Sequence, residues 1–212
     1  MTSYLAALPR LAHGLATTFA ISLAAMAIAV AIGFVLGIVR SQAPRPIDLP
    51  ILAVIEFFRG IPLLVLMYFL FFGLPQLGLH TSNNGAAIAA LALYAGALGS
   101  EIVRGAIASI PGVQTEAASA LGLGRGTILA SVIVPQALRR MLPPFVALFA
   151  LIVESSSLSS LINVTDLLQV AHQNVERDND IALPVYLTVL VAYFAVNYPI
   201  SLASQQLEKR LT

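Results

Sequence analysis

Five apolar blocks, at 14–39, 51–73, 84–103, 142–164 and 183–202, constrain this chain more than anything else in it. Each is close to the roughly 20 residues that a helix needs to cross a bilayer's hydrocarbon core. A segment in lipid must satisfy its backbone internally, so blocks of this length are expected as helices. The charge content agrees: 10% of the residues are charged and 58% are hydrophobic, against about 25% charged in a soluble domain. The expected fold class is an all-α polytopic membrane protein, a single transmembrane domain over 1–212 with five spans. The first block lacks the basic leader, short core and small-residue cleavage site of a secretory signal.

The joining segments differ in character. Residues 1–13 are mixed and include Pro9 and Arg10. The segment 41–50 holds Pro44, Pro46 and Pro50 and reads as a polar connector. Pro75 and Gly78 punctuate 74–83, and 166–180 is polar and acidic. Within the first block, Gly33 and Gly37 form a small-xxx-small pair that permits close helix contact.

The segment 105–141 is of another kind. Its stretch 116–135, EAASALGLGRGTILASVIVP, is too short and broken to span: the run 128–135 lasts eight residues and contains Ser131. Glu116, Ala117 and Ala118 suit a first helical turn. Gly122, Gly124 and Gly126 let the chain bend, and Val134-Pro135 is expected to stop the next segment. A bent, amphipathic, non-spanning element at one membrane face is a docking surface in form.

Lysine and arginine decide the orientation. With the N-terminus outside, the cytoplasmic side holds Arg40, Arg45, Arg125, Arg139, Arg140, Lys209 and Arg210, with Arg59 and Arg104 near that face; Arg10 and Arg177 remain outside. The stretch 116–135 then lies in the cytoplasm and 166–180 outside, with the C-terminus cytoplasmic. Glu56 and Arg59, like Glu101 and Arg104, read equally as snorkelling interface charges.

Catalytic chemistry finds no support. His13, His80 and His172 lie in different segments without metal-ligand spacing, so no metal site is expected. There is no nucleophile elbow, and no G-x-x-x-x-G-K-[ST] loop to hold ATP. Without cysteine the redox compartment stays open. Glu154 is the most informative residue. Counted from Pro143 it lies about 16 Å into a core about 30 Å thick, where an ionised carboxylate costs at least ~2.5 kcal/mol. It should face a cavity, a cationic ligand or a partner, and Ser155, Ser156, Ser157, Ser159 and Ser160 follow it with hydroxyls. The competing reading is a protonated glutamate between packed helices. Tyr94 is a further pathway candidate, and Tyr68, Asn163, Asp166, Tyr193 and Asn197 are weaker ones.

The central stretch resembles the EAA loop of bacterial ABC-importer permeases: E-A-A, a glycine after three residues, an aliphatic residue after nine, then x-L-P. Here these are Glu116-Ala117-Ala118, Gly122, Val132 and Val134-Pro135. FFRGIPLLVLMYFLFFGLP at 57–75, EIVRGAIASIPGVQTEAASALGL at 101–123, VPQALRRMLPPF at 134–145 and the end of the chain are similar to the polar amino-acid uptake subfamily, which includes histidine, glutamine, glutamate, arginine and opine permeases.

The resemblance implies a type I importer fold with a cytoplasmic coupling helix between the third and fourth spans, in a bacterial inner membrane. It implies a non-enzymatic permease subunit paired with a second permease, identical or homologous. Its partners would be an ABC ATPase dimer and an extracytoplasmic substrate-binding protein. This chain would bind no cofactor; ATP and Mg would sit on the ATPase. Glu116, Ala117, Ala118, Gly122, Arg125 and Pro135 would couple to the ATPase, while Glu154, Ser155, Ser156, Ser157 and Tyr94 would line the substrate path. One departure stands out. The subfamily's fourth helix often reads K-[DN]-T-S-L where this chain has Glu154-Ser155-Ser156-Ser157-Leu158, which motivates a cationic or zwitterionic amino-acid substrate. A self-contained channel or secondary carrier has no use for an EAA loop, and a non-transporting scaffold has none for Glu154.

Overall fold

The computed structural model of the chain describes residues 2–211. They form helices α1 (Thr2–Gln42), α2 (Arg45–Gly60), α3 (Leu63–Tyr68), α4 (Asn83–Ala108), α5 (Gly112–Ala120), α6 (Arg125–Ile128), α7 (Val134–Ser156), α8 (Leu167–Arg177) and α9 (Ala182–Leu211), with no strand among the described residues. Four helical stretches are long and apolar enough to span. A fifth span results if the pair Arg45–Gly60 and Leu63–Leu77, bent by 98° at Gly60–Pro62, is counted as one.

The expected connector at 41–50 is instead mostly helix: α1 runs to Gln42 and α2 starts at Arg45. Its prolines do not prevent this. Pro44 is the N-cap and Pro46 sits in the first turn, where no amide hydrogen is needed. Ile55 is the one buried residue of α2 among those described, while Ile47, Leu49, Val54 and Phe57 are exposed. An apolar face with no protein against it is suited to the membrane interface. Glu56 and Arg59 pair with each other on this helix.

Pro135 likewise fails to stop its segment. The helix is continuous from α6 through a π-turn at Leu129–Ile133 into α7. The wide turn just before Pro135 makes room where the proline ring would crowd the preceding carbonyls. The fourth block's helix therefore begins well before residue 142.

The core is organised by α1 against α4. A Cβ on Gly33 would stand 2.9 Å from the Gly99 carbonyl carbon, and one on Gly37 would stand 2.6 Å from Val103 Cβ. The small-xxx-small pair is therefore a backbone-to-backbone crossing. At the C-terminal end of α1, Arg40, 8% exposed, donates from Nε to Asp48 Oδ1 at 2.7 Å and from Nη1 to Glu101. Glu101 also accepts from Arg104 Nη2 at 2.7 Å. Glu101 and Arg104 are thus part of a network joining α1, α2 and α4, and Glu101 is more than a snorkelling charge. A second apolar cluster brings Ala7 and Leu11 of α1 against Leu167, Val170 and Ala171 of α8 and Val185 and Val189 of α9.

Candidate functional site

The stretch at 116–135 begins within α5, which starts four residues before Glu116 at Gly112, behind the N-cap Pro111. Glu116 is therefore mid-helix and not in a first turn. All of α5 is exposed except Ala118. Val113 is 62% and Leu121 81% exposed, so α5 offers the solvent a mixed apolar and acidic surface. The helix ends in a Schellman motif. Gly122 N–H donates to Ser119 O at 2.9 Å and Leu123 N–H to Ala118 O at 3.2 Å, which needs a left-handed residue between them. Gly122 supplies it with φ +78°.

Of the three glycines, only Gly122 has a positive φ. Gly124 caps α6 with ordinary extended backbone, and Gly126 is helical. Arg125 opens α6 and borders a cleft with Thr115 and Ser119 of α5. Ala117 and Pro135 are exposed. The base of this hairpin is tied to α7 by Arg140 Nη1, which donates to Ser109 O at 2.7 Å and to Ser109 Oγ at 2.9 Å.

Glu154 lies on the exposed face of α7 together with Ala147 and Leu151. Its carboxylate has no hydrogen-bond or ion-pair partner among the described residues. The serines after it are turned to the backbone: Ser156 Oγ donates to Val153 O at 2.8 Å, Ser157 Oγ to Glu154 O at 2.7 Å and Ser160 Oγ to Ser157 O at 2.8 Å. Such short-range bonds compete with the helical ladder, and α7 tightens into a 3₁₀ segment, Ser157–Ile162. Asn163 ends it at φ 60°. About 15 Å of helix separate Glu154 from Asn163. Ser155 is half-buried beside it. Tyr94 packs on the core cluster from α4, and no hydrogen bond joins it to Glu154. Tyr68, on α3, meets Phe72 with ring centroids 5.8 Å apart.

Asp166, Tyr193 and Asn197, singly weak candidates in the sequence, come together with Thr18 and Ser22, which carry no distinguishing sequence signal, and with Ser159. Asp166 is wholly buried. Its Oδ1 accepts from Gln169 N at 2.8 Å and caps α8. The D-x-x-Q spacing from Asp166 to Gln169 is the sequence signal for this helix, and the polar, acidic segment at 166–180 is mostly helical. Thr18 Oγ1 accepts from Leu167 N at 3.2 Å, and the Tyr193 hydroxyl lies beside Thr18, Ser156 and Asp166. Asp166 Oδ2, Tyr193 OH, Ser22 Oγ, Ser159 Oγ and Asn197 Oδ1 are buried without a hydrogen-bond partner among the described residues. Ser22 lies one turn below Thr18 on α1, and Asn197 one turn below Tyr193 on α9. Together they give the bundle a polar seam.

Burial pushes the Asp166 carboxyl up to about 7, against which its backbone hydrogen bonds pull down. The folded state then holds a proton that the unfolded chain releases near pH 4. The stabilisation is complete below that value and is lost as pH rises toward 7, by at most about 4 kcal/mol. Asp166→Asn keeps the capping oxygen and removes the titration. We expect thermal stability in detergent to fall from pH 5 to pH 8 for the wild type and to stay flat for the variant; a parallel fall in both would disprove the assignment to Asp166.

Comparison with known proteins is consistent across the chain. Residues 29–212 match the family model for the binding-protein-dependent transport system inner membrane component. The chain is 36% identical to the probable glutamine ABC transporter permease protein GlnP of Bacillus subtilis, over 85% of this chain and 84% of that one. It is 33% identical to the glutamine transport system permease protein GlnP of Escherichia coli K12, over 97% of this chain and 94% of that one. A crystal structure of an amino acid ABC transporter with histidines superposes with a TM-score of 0.90 at 28% identity, covering 99% of this chain and 97% of that one. The inward-facing MetNI methionine ABC transporter has the same fold, with a TM-score of 0.78 at 20% identity over 96% of both chains.

Proposed function

From the premise that the chain belongs to the binding-protein-dependent transport system inner membrane component family, we propose that it carries a polar amino acid or derivative through a pathway shared with a second permease subunit. It is a multi-pass inner-membrane permease subunit of an ATP-driven importer, and not an enzyme. In this proposal a separate ABC ATPase dimer binds ATP and Mg, and an extracytoplasmic binding protein delivers the substrate. The N-terminus lies outside and the C-terminus in the cytoplasm. The five spans run near 14–39, 51–73, 84–103, 142–164 and 183–202, the second bent at Gly60–Pro62 so that its part from Leu63 onward crosses, with the coupling segment at 105–141.

The observation that carries the reading is α5. It is an exposed helix with apolar Val113 and Leu121 beside the unpaired Glu116, held between two spanning helices at the side richest in arginine. Glu116, Ala117, Ala118 and Gly122 form the docking core, flanked by Arg125 and Pro135. ATP binding favours one arrangement of the ATPase pair, and a docked α5 can shift the permease only if it docks differently in the two arrangements. The link inward is short. Ser109 to Pro111 joins α5 to α4, and the Arg140–Ser109 bonds join the same point to α7. The test is co-purification: a stoichiometric ATPase carrying a P-loop is expected, and its absence from an otherwise intact permease would count against the importer reading.

The substrate path is assigned to the exposed face of α7. Glu154 with the half-buried Ser155 and Ser157, and Tyr94 across on α4, face the shared pathway, whereas Ser156, expected with them, is buried on the inner side of α7. There the carboxylate meets an ammonium or guanidinium group. A hydrogen bond to a charged group contributes about 1.5–3 kcal/mol. Glu154→Gln in proteoliposomes with saturating binding protein should therefore slow arginine uptake about 10-fold or more and leave a neutral amino acid within about twofold. Equal effects on both would remove Glu154 from substrate selection.

A further inference from the structure

Arg10 and Arg177, the two basic residues assigned to the outer side, come from opposite ends of the sequence. Both border one cleft of about 300 Å³ between α1 and the end of α8, together with His13, Thr165, Gln173 and Asn174. Cations are sparse on the outer side of a membrane protein, so their convergence on one concave site needs a reason. An internal partner does not supply it. The ion pairs among the described residues include neither arginine. The acids nearest Arg177 in sequence, Glu176, Asp178 and Asp180, do not border the cleft, and Asp178 Oδ1 accepts from Asp180 N. What remains is a cleft carrying two arginines without an ion pair among the described residues, whose other groups, the His13 imidazole, the Thr165 hydroxyl and the Gln173 amide, offer N–H and O–H donors.

Height and surroundings narrow the anion. α9 starts at Ala182, just after Arg177, and reaches Lys209 after about 40 Å of helix. That matches a bilayer of about 40–45 Å with its headgroups, so Arg177 stands at the level of the outer headgroups. Elsewhere on the same turns of α1 and at the start of α9, Leu5, Leu8, Leu183 and Leu187 are exposed. Guanidinium forks match the oxygens of a phosphate, and acyl chains suit exposed leucines at this level of the bundle. We propose that the Arg10–His13–Arg177 cleft binds the phosphodiester of an anionic phospholipid in the outer leaflet.

This inference rests on the N-outside orientation of the proposed function, and the two are tested separately. The chain has no cysteine, so Ser3→Cys should react with a membrane-impermeant maleimide in intact cells; protection would overturn the orientation alone. Lipid binding is read on the purified permease–ATPase complex in neutral detergent by native mass spectrometry. Dioleoylphosphatidylglycerol, dioleoylphosphatidylcholine and inorganic phosphate serve as probes. The wild type should retain phosphatidylglycerol in preference to phosphatidylcholine. The Arg10→Gln/Arg177→Gln pair should lose that retention about 10-fold, while the Arg10→Lys/Arg177→Lys pair keeps most of it. Should the glutamine pair fail to assemble, the single Arg177→Gln change at the exposed end of α8 is expected to show a several-fold loss. Equal retention in variant and wild type overturns the proposal. So does arginine-dependent binding of inorganic phosphate without lipid, and so does weakened affinity for the binding protein with lipid retention unchanged.

Discussion

Glu116→Lys is expected to leave the permease folded in the membrane while abolishing ATP-coupled uptake. The side chain is exposed in the middle of α5 and makes no ion pair among the described residues, so the fold should lose no more than about 0.5 kcal/mol. Inverting a charge at a docked, partly desolvated interface instead costs about 2–5 kcal/mol, enough to weaken ATPase docking 30-fold or more. Gly122→Asp should reach the same outcome through the backbone. Nothing lies within 4 Å of a Cβ at this position, so the cost is conformational: about 1–2 kcal/mol for a side chain held in the left-handed region. The two Schellman bonds would loosen and re-aim the end of the docking helix. The measurements are ATPase co-purification and uptake in proteoliposomes. Normal transport with both substitutions would refute the coupling role of α5.

The spanning helices were legible because lipid leaves the backbone few choices: an apolar block of the right length must be a helix. What proved hard to read was where prolines matter. Pro44, Pro46 and Pro50 suggested a connector and Pro135 a stop, yet all four are accommodated. The first two sit at or before a first turn, and a π-turn absorbs the last. Proline propensity is a local penalty, and position within the helix decides whether it is felt. The seam around Asp166 was illegible for a different reason. Thr18, Ser156, Asp166 and Tyr193 lie on four separate elements, and each alone is an ordinary polar residue in an apolar chain. Their shared burial is a tertiary fact. The same holds for Arg40: from sequence it ends an apolar block, and only the fold sets Asp48 and Glu101 against it. By contrast the EAA spacing was readable at once, because docking demands a local pattern on one helix and its cap.

Gly37→Ala should destabilise the permease, while the identical change at Gly105 should not. The two glycines lie in helices that pack on each other, and both changes add one methyl group. In a helix interior that methyl normally stabilises by about 0.5–1 kcal/mol, because glycine loses the most backbone freedom on folding. Gly105 has nothing within 4 Å of the new Cβ, so the gain should be realised. At Gly37 the Cβ would stand 2.6 Å from Val103 Cβ and 2.7 Å from Ser100 O. Neither is the flexible end of a side chain, so α1 and α4 must separate along their crossing. Overpacking of this kind costs about 1–3 kcal/mol, and the separation would also pull on the buried Arg40–Glu101 contact one turn away. Gly37→Leu, which no small shift can accommodate, should eliminate recoverable folded protein. The chain lacks tryptophan and cysteine, so stability is best followed by the fraction remaining monodisperse on size-exclusion chromatography after heating. A lower midpoint for Gly37→Ala with an unchanged or higher one for Gly105→Ala is the expected pair. Equal shifts would mean that the α1–α4 crossing is looser than the backbone contact at Gly33 and Gly37 requires.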